Sequence, residues 1–263
     1  MQSILEGIII FMQFPVFLPN KKEITVKSIS LKDLKYLSLL AQTSLKQSIE
    51  FLESFIITKN LNVFEKLVAL LTLRNHCIDD SISMPGKAGN VKMKINHVLN
   101  NIGDMQDIKE SITLNGADFI LGYPSQFNSG NSDSIFTIIK SIQIGDEQIL
   151  INELTNKEFS QLLATLPTEL YGYLEDYVAR YQEHFIVKFW DERKRIGVEE
   201  MHLSILSDAC ASIILNLFNI LSDPQEYAQY IFNLSKRIPD PEFLSNSTVK
   251  ELDQYIVPVS YTH

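Results

Sequence analysis

Several things are scarce in this sequence, and each shortage removes a class of protein. There are two cysteines, Cys77 and Cys210, far apart in segments that both read as buried helix. A disulfide scaffold is therefore not expected, and a reducing compartment fits. No CxxC pair or zinc spacing occurs. Positive charge is in short supply: 23 Lys and Arg against 32 Asp and Glu leave a net charge of −9. That argues against wrapping nucleic acid, which depends on clustered basic side chains. No Gly-rich phosphate loop, no G-x-S-x-G and no H-E-x-x-H is present. Long apolar runs are few. GIIIFMQFPVFL, Gly7 to Leu18, is shorter than the ~20 residues a bilayer requires, and Pro15 interrupts it. It also lacks the basic leader and small-residue cleavage site of a signal peptide. The second run, Leu203 to Leu221, holds Asp208 with several Ser and Asn, and reads as a buried core helix. No membrane insertion is expected.

What is present belongs to an ordinary globular protein. Hydrophobic residues make up 45% and charged residues 21% of 263 residues, enough for one large domain or two small ones. The charge is uneven: residues 1–100 carry a net +4 and residues 101–263 a net −13. The asymmetry suits either steering of the two ends toward different partners or drift along a solvated surface.

Periodicity places the elements. Lys22 to Ser30 alternates, with Ile24, Val26 and Ile29 apolar, and predicts a short strand with one buried face. Ser30 then caps a helix whose first turn carries Asp33. Leu31, Leu34, Leu37, Leu40, Leu45, Ile49, Leu52 and Ile56 give one amphipathic helix or two, broken at Thr43–Ser44. Asn62 caps a helix from Val63 to about Ile78, and Pro85–Gly86 with Gly89 ends the helical pattern. VKMKI, SITL, DFILGY and IFTIIKSIQIGDEQILI are β-rich, with a hairpin signal at Gly145–Asp146 and a polar loop over Ser125–Ser134. Helices return with a capping box at Thr155 and Glu158. After Pro167 the spacing predicts a long helix over Thr168–Phe189, then another over Glu199–Leu221. Asp223 and Pro224 open the next, which Pro239 stops, and Thr248 to Ile256 forms a last short one. The expected class is α+β, mostly helical, with a β-rich module in the middle third and a short N-terminal strand. The expected partition is 1–80 (apolar arm, strand and helices), 81–152 (β-rich module) and 153–263 (helical). The last is either separate or continuous with the first.

Two constellations carry candidate chemistry. RNHCIDD, Arg74 to Asp80, packs His76, Cys77, Asp79 and Asp80 together, residue types that a metal site or a general base uses. Successive helical residues point about 100° apart, so a helix terminus with a buried cysteine fits better. A metal-dependent enzyme using His76, Asp79 and Asp80 is kept as the alternative. The acids and bases around His184, from Glu183 to Glu200, read as solvated ion pairs along a helix. Tyr171, Tyr173, Tyr177, Tyr181 and Phe185 recur about four apart and predict a helix–helix contact, inside the fold or between copies. No catalytic, cofactor-binding or metal-ligating residue is assigned, and no cofactor is expected.

The front of the chain resembles a known family. FPVFLPN, a Lys-bearing turn, the strand KEITVKSIS and a helix beginning LKDLKYL are similar to the start of the baseplate hub proteins of T-even-type contractile-tailed phages. The carrying residues are Leu18–Lys22, Ile24–Ile29 and Leu31–Asp33, then Phe64, Leu67, Leu71, Leu73 and Arg74 of NVFEKLVALLTLRNHCIDDSI. Asn20 stands where the family's turn has glycine, and Asn tolerates positive φ. The likeness covers about the first 85 residues well and the rest by order of elements. It implies a structural or assembly protein of the tail baseplate hub, not an enzyme. Such a protein would act through contacts with other hub or tail proteins, in the host cytoplasm during assembly and in the virion if retained. An apolar surface for a partner is then expected at Ile8, Ile9, Ile10, Phe11, Phe14, Phe17 and Leu18, unless that arm packs on its own domain. A second is expected at Tyr171, Tyr177 and Tyr181, where self-association into a helical scaffold is the further option.

Overall fold

The computed structural model describes residues 13–18, 22–86, 89–101, 109–127, 132–182, 186–191, 196–202, 210–218, 224–238 and 240–255. The chain divides into two compact units with interleaved segments. Unit 1 is Met1–Lys59, Val68–Leu99 and Ile214–His263, and unit 2 is Asn60–Leu67 with Asn100–Ile213. The sequence reading drew three consecutive stretches instead. Helical and β-rich segments mix in both units, so the fold is α+β.

Unit 1 opens with a hairpin of β1 (Gln13–Phe17) and β2 (Glu23–Lys27), in register from Gln13 opposite Lys27 to Phe17 opposite Glu23. Val16, Leu18, Ile24 and Val26 turn inward and are buried. The amide of Leu18 donates to the Lys22 carbonyl at 2.9 Å, which sets the phase of the ladder. On that phase the Pro15 nitrogen faces away from β2, so a proline sits in the edge strand without removing a ladder bond. The other edge of β2 is occupied. Lys27 N donates to Phe55 O at 2.7 Å and Ile57 N to Thr25 O at 2.9 Å.

Next come α1 (Leu31–Ala41) and α2 (Leu45–Glu53). Ser30 and Asp33 form a reciprocal capping box, with Ser30 N donating to Asp33 Oδ2 at 2.9 Å and Asp33 N to Ser30 Oγ at 3.3 Å. Such a cap contributes about 1 kcal/mol. Ser44 caps α2, placing the break where the sequence reading put it. Leu31, Leu34, Leu37, Ile49 and Leu52 are buried, whereas Leu45 is exposed at the start of α2.

The helix α3 (Val63–Cys77) begins within unit 2 and continues in unit 1. Asn62 Oδ1 accepts from the amides of Phe64 and Glu65, at 3.1 and 2.9 Å, and the Glu65 carboxylate accepts from Asn62 N. Between Leu67 and Leu71 every residue is buried, so α3 is apolar on nearly all sides, as a central core helix is. The antiparallel pair β3 (Ser81–Gly86) and β4 (Gly89–Lys94) follows, then α4 (Ile95–Asn101). Pro85 and Gly86, read from sequence as punctuation, lie within β3.

Unit 2 holds a four-stranded antiparallel meander in the order β5 (Glu110–Leu114), β6 (Ala117–Leu121), β7 (Ile139–Ile144) and β8 (Glu147–Leu150). Its two tight turns obey hairpin chemistry. Asn115 and Gly116 both have positive φ, 51° and 80°, the type I′ pattern, and Gly145 at 60° leads a two-residue turn with Asp146. A 3₁₀ segment, Ser132–Ile138, precedes β7. Then come α5 (Asn156–Leu163), capped reciprocally by Thr155 and Glu158, and α6 (Thr168–Gln182). Phe119, Leu121, Tyr123, Ile139 and Ile142 of the sheet region are buried, as are Leu170, Leu174 and Tyr177 of α6. Phe64 stacks on Tyr123 at 6.1 Å between ring centres.

Two expectations are corrected here. The helix drawn over Thr168–Phe189 stops at Gln182, and Ile186–Asp191 is the strand β9. The helix drawn over Glu199–Leu221 is instead the strand β10 (Ile196–His202) and the helix α7 (Cys210–Phe218). β9 and β10 pair antiparallel with a bulge between Ile196 and Val198. Pairing satisfies the backbone of IVKFWD, whose β-branched and aromatic residues suit a strand, and overrides a helical spacing of apolar positions. The C-terminal third is thus not wholly helical. Three helices close unit 1: α8 (Pro224–Ser235), α9 (Pro241–Asn246) and α10 (Val249–Asp253), the last capped by Thr248 and Glu251. The predicted cap Asp223 and the predicted stop Pro239 of α8 lie outside the described residues.

Candidate functional site

RNHCIDD ends α3 and leads into β3, and each of its polar side chains has a task in the fold. Arg74 is buried. Its Nη2 donates to Asp79 Oδ1 and to Ser81 O, both at 2.8 Å, and Nε reaches Ser81 O at 3.3 Å. Its Nη1 donates to the carbonyl of Leu217 in α7. Asp79 Oδ1 also accepts from Ser81 N at 3.1 Å. Burial lowers the Arg74 pKa and Asp79 opposes that shift; a guanidinium stays protonated under such conditions. Arg74 therefore ties the end of α3, the start of β3 and the end of α7 together.

Asp80 pairs with Lys94 across the base of the β3–β4 hairpin, and the hydrogen bond from Lys94 is the main cause of its depressed pKa. The Asp80 carbonyl accepts from Ile95 N at 2.8 Å, joining α4 to the same turn. Cys77 is buried, and Ile29 N donates to its sulfur at 3.4 Å. Burial pushes the Cys77 thiol up to about 11, which favours the neutral thiol at neutral pH. Cys210 is also free and buried.

His76 is exposed at the rim of this cluster, its ring stacked on Phe14 of β1 with centres 4.0 Å apart and planes at 28°. Partial burial lowers its pKa, the Lys250 ammonium adds to the shift and Glu251 opposes it. The folded state takes up this proton less readily than the unfolded chain, so the contribution to stability is present above the ordinary value of 6.5 and is lost as pH falls below it. An NMR titration of His76 is expected to give a midpoint below 6.5, and Phe14→Ala to move it back toward that value. A midpoint at or above 6.5 in the unaltered protein contradicts the packing described.

The metal trio of the alternative reading is thus not brought together. His76 faces Phe14, Asp79 faces Arg74, and Asp80 faces Lys94. Among the described residues no group of three His, Cys, Asp or Glu is placed to hold a metal ion.

The predicted apolar arm divides. Ile8, Ile9, Ile10 and Phe11 lie outside the described residues. Leu18 is buried in unit 1, Phe14 is half-buried against His76, and Phe17 is 69% exposed. So this part of the arm packs on its own unit and leaves one aromatic ring outward. The tyrosine set divides as well. Tyr177 is fully buried, and Tyr181 is tilted against it at 4.6 Å and donates to Glu110. Arg180 grips the same Glu110 carboxylate with two bonds of 3.0 and 2.8 Å. Tyr177 and Tyr181 therefore hold α6 in unit 2, while Tyr171 and Tyr173 remain exposed. The sequence reading missed the exposed Tyr36 and Leu39 on α1. Their signal was a second apolar stripe on a helix whose first stripe was already assigned.

The described residues define a protein of packing contacts, an α+β framework whose clustered polar side chains brace its own turns. The chain matches the family described as T4 bacteriophage base plate protein over residues 12–189, and it belongs to that family. No curated protein and no solved structure matches it. It is thus a phage baseplate structural protein, a component of the virion tail that meets other tail and baseplate proteins. Among the described residues no helix is long and apolar enough to cross a membrane.

Proposed function

We propose that this chain builds, or forms part of, the hub at the centre of the baseplate, and that it works by shape and apolar contact without catalysing a reaction. The observation that carries the reading is the family membership over residues 12–189. The likeness of Leu18–Lys22, Ile24–Ile29 and Leu31–Asp33 to hub proteins narrows it from baseplate to hub. The use of Arg74, Asp79 and Asp80 inside the fold supports a role without chemistry. The apolar front of the chain, Ile8 to Phe11 with the outward Phe17, is assigned to a hub or tail partner. Covering apolar side chains of this size is worth about 1.5–3 kcal/mol each. Assembly would take place in the host cytoplasm, before or during incorporation into the tail.

Co-expression with individual hub and tail components, followed by size exclusion, is expected to yield a stable complex. In that complex Phe17→Ser weakens binding while leaving the free protein folded. Failure to join any hub component, by a chain that folds normally, removes the hub assignment.

A further inference from the structure

Two helices carry outward faces beyond their buried stripes; on α1 the Tyr36 ring is also set edge-on to Phe51 of α2, with 5.0 Å between ring centres. On α1, Lys32, Lys35, Tyr36 and Leu39 follow the i, i+3, i+4, i+7 spacing and all four are exposed, opposite the stripe of Leu31, Leu34 and Leu37 that fills the core. Tyr36 is 51% and Leu39 54% exposed, so the face is apolar at its centre and basic at one end. Asp33, the acid within α1, is occupied as the capping partner of Ser30.

On α6, Glu169, Gly172, Tyr173 and Asp176 repeat the same spacing on a face that flanks the buried stripe of Leu170, Leu174 and Tyr177, and all four are exposed. Glu175 lies beside them and is also exposed. A Cβ at Gly172 would meet nothing within 4 Å, and glycine inside a helix is destabilising relative to alanine. What Gly172 provides is a notch beside the Tyr173 ring, open to the close approach of another helix.

The two faces are complementary. One carries two lysines beside an apolar centre, and the other carries three acids beside a notch and a tyrosine. Unit 2 as a whole holds nineteen acidic residues against nine basic ones. No ion pair among the described residues engages Lys32, Lys35, Glu169, Glu175 or Asp176.

We propose that α1 of one copy docks on α6 of a second copy of this chain, with Leu39 and Tyr36 seated at Gly172 and Tyr173 and the lysines set against Glu169 and Asp176. Each copy offers one α1 face and one α6 face, so the contact forms either twice in a two-fold dimer or head to tail in a ring or chain. Exposed pairs are weak one by one, and their part here is to fix register and speed encounter. The apolar centre supplies the affinity. This contact does not depend on the hub assignment.

Sedimentation of the full chain over a range of concentrations and salt tests it. The unaltered protein is expected to self-associate, less so at high salt. Lys32→Glu with Lys35→Glu, and separately Glu169→Lys with Asp176→Lys, are each expected to weaken association tenfold or more, about one decade in dissociation constant. An equimolar mixture of the two variants is expected to associate again, because the reversed charges then face each other. Leu39→Asp gives a second route to the monomer. Circular dichroism confirms that each variant is folded. A protein that stays monomeric at every concentration overturns the proposal, as do variants that associate unchanged or a mixture that does not recover. A self-associating protein that joins no hub component removes the hub reading and leaves this contact standing. Monomeric protein that still enters a hub complex does the reverse.

Discussion

Arg74→Ala is expected to lower the stability of unit 1 by about 3–5 kcal/mol, the range for removing one partner of a buried charged network. The ion pair with Asp79 is the smaller part of that loss. The Asp79 side chain is 45% exposed, so solvent screens its attraction to Arg74. The larger part lies in the acceptors left behind. The carbonyls of Ser81 and Leu217 both take hydrogen bonds from the guanidinium, and alanine leaves a void where the side chain lay. Two further variants separate these terms. Arg74→Lys keeps the charge but presents one nitrogen in place of a planar fork, and cannot serve Ser81, Leu217 and Asp79 together, so it recovers part of the stability. Asp79→Ala removes the screened partner together with the acceptor of the Ser81 amide, and is expected to cost about 1–2 kcal/mol. Urea unfolding of the three variants gives the ranking. A loss below about 1 kcal/mol for Arg74→Ala means that the network is not what joins α3, β3 and α7.

The contrast between Arg74 and the caps explains which parts of this protein can be read from its sequence. Ser30 with Asp33, Asn62 with Glu65, Thr155 with Glu158 and Thr248 with Glu251 are each complete within four residues, and all four helix starts fall where those pairs predict. The turn at Gly145–Asp146 was legible for the same reason. Asn115–Gly116 carried an equally local hairpin signal, stronger by its chemistry, and was passed over between two short apolar runs. The partners of Arg74 are another matter. Ser81 is seven residues away and Leu217 is 143, and nothing near Arg74 announces the second. Read alone, RNHCIDD favours a helix terminus with a buried cysteine and leaves a metal site as the alternative, without showing what its polar side chains touch. Its true organisation disperses them, His76 toward Phe14 and Asp80 toward Lys94, through contacts that the fold creates. The misread hairpin β9–β10 has the same origin. A strand needs its neighbour, and the helical spacing of Tyr171 to Tyr181 extended naturally into the next residues. On α1, Leu39 and Tyr36 show the converse: a sequence reveals that a helix has apolar positions, but the side it turns to the core depends on where the rest of the chain lies.

Tyr177→Ala is the second large expectation, and it decides between two uses of the tyrosine set. Tyr177 is fully buried on the inner side of α6, with Leu170 and Leu174 buried on the same side and the Tyr181 ring at 4.6 Å. Removing a buried aromatic ring costs about 3–5 kcal/mol, through lost burial and the cavity that remains. Thermal unfolding should register this as a lower transition for the variant, with or without any partner present. Tyr173→Ala removes a ring that is 46% exposed and is expected to change stability by no more than about 0.5 kcal/mol. The two residues lie four apart on one helix, only about 40° apart around its axis, and differ in how far each is covered: Tyr177 lies in the buried stripe and Tyr173 flanks it. If Tyr177→Ala left the isolated protein as stable as before and weakened only its association, Tyr177 would belong to an interface, and the inner face of α6 would have been assigned to the wrong neighbour. The expected pattern is the opposite one: Tyr177 governs whether α6 stays on unit 2, and Tyr173 governs what α6 meets once it is there.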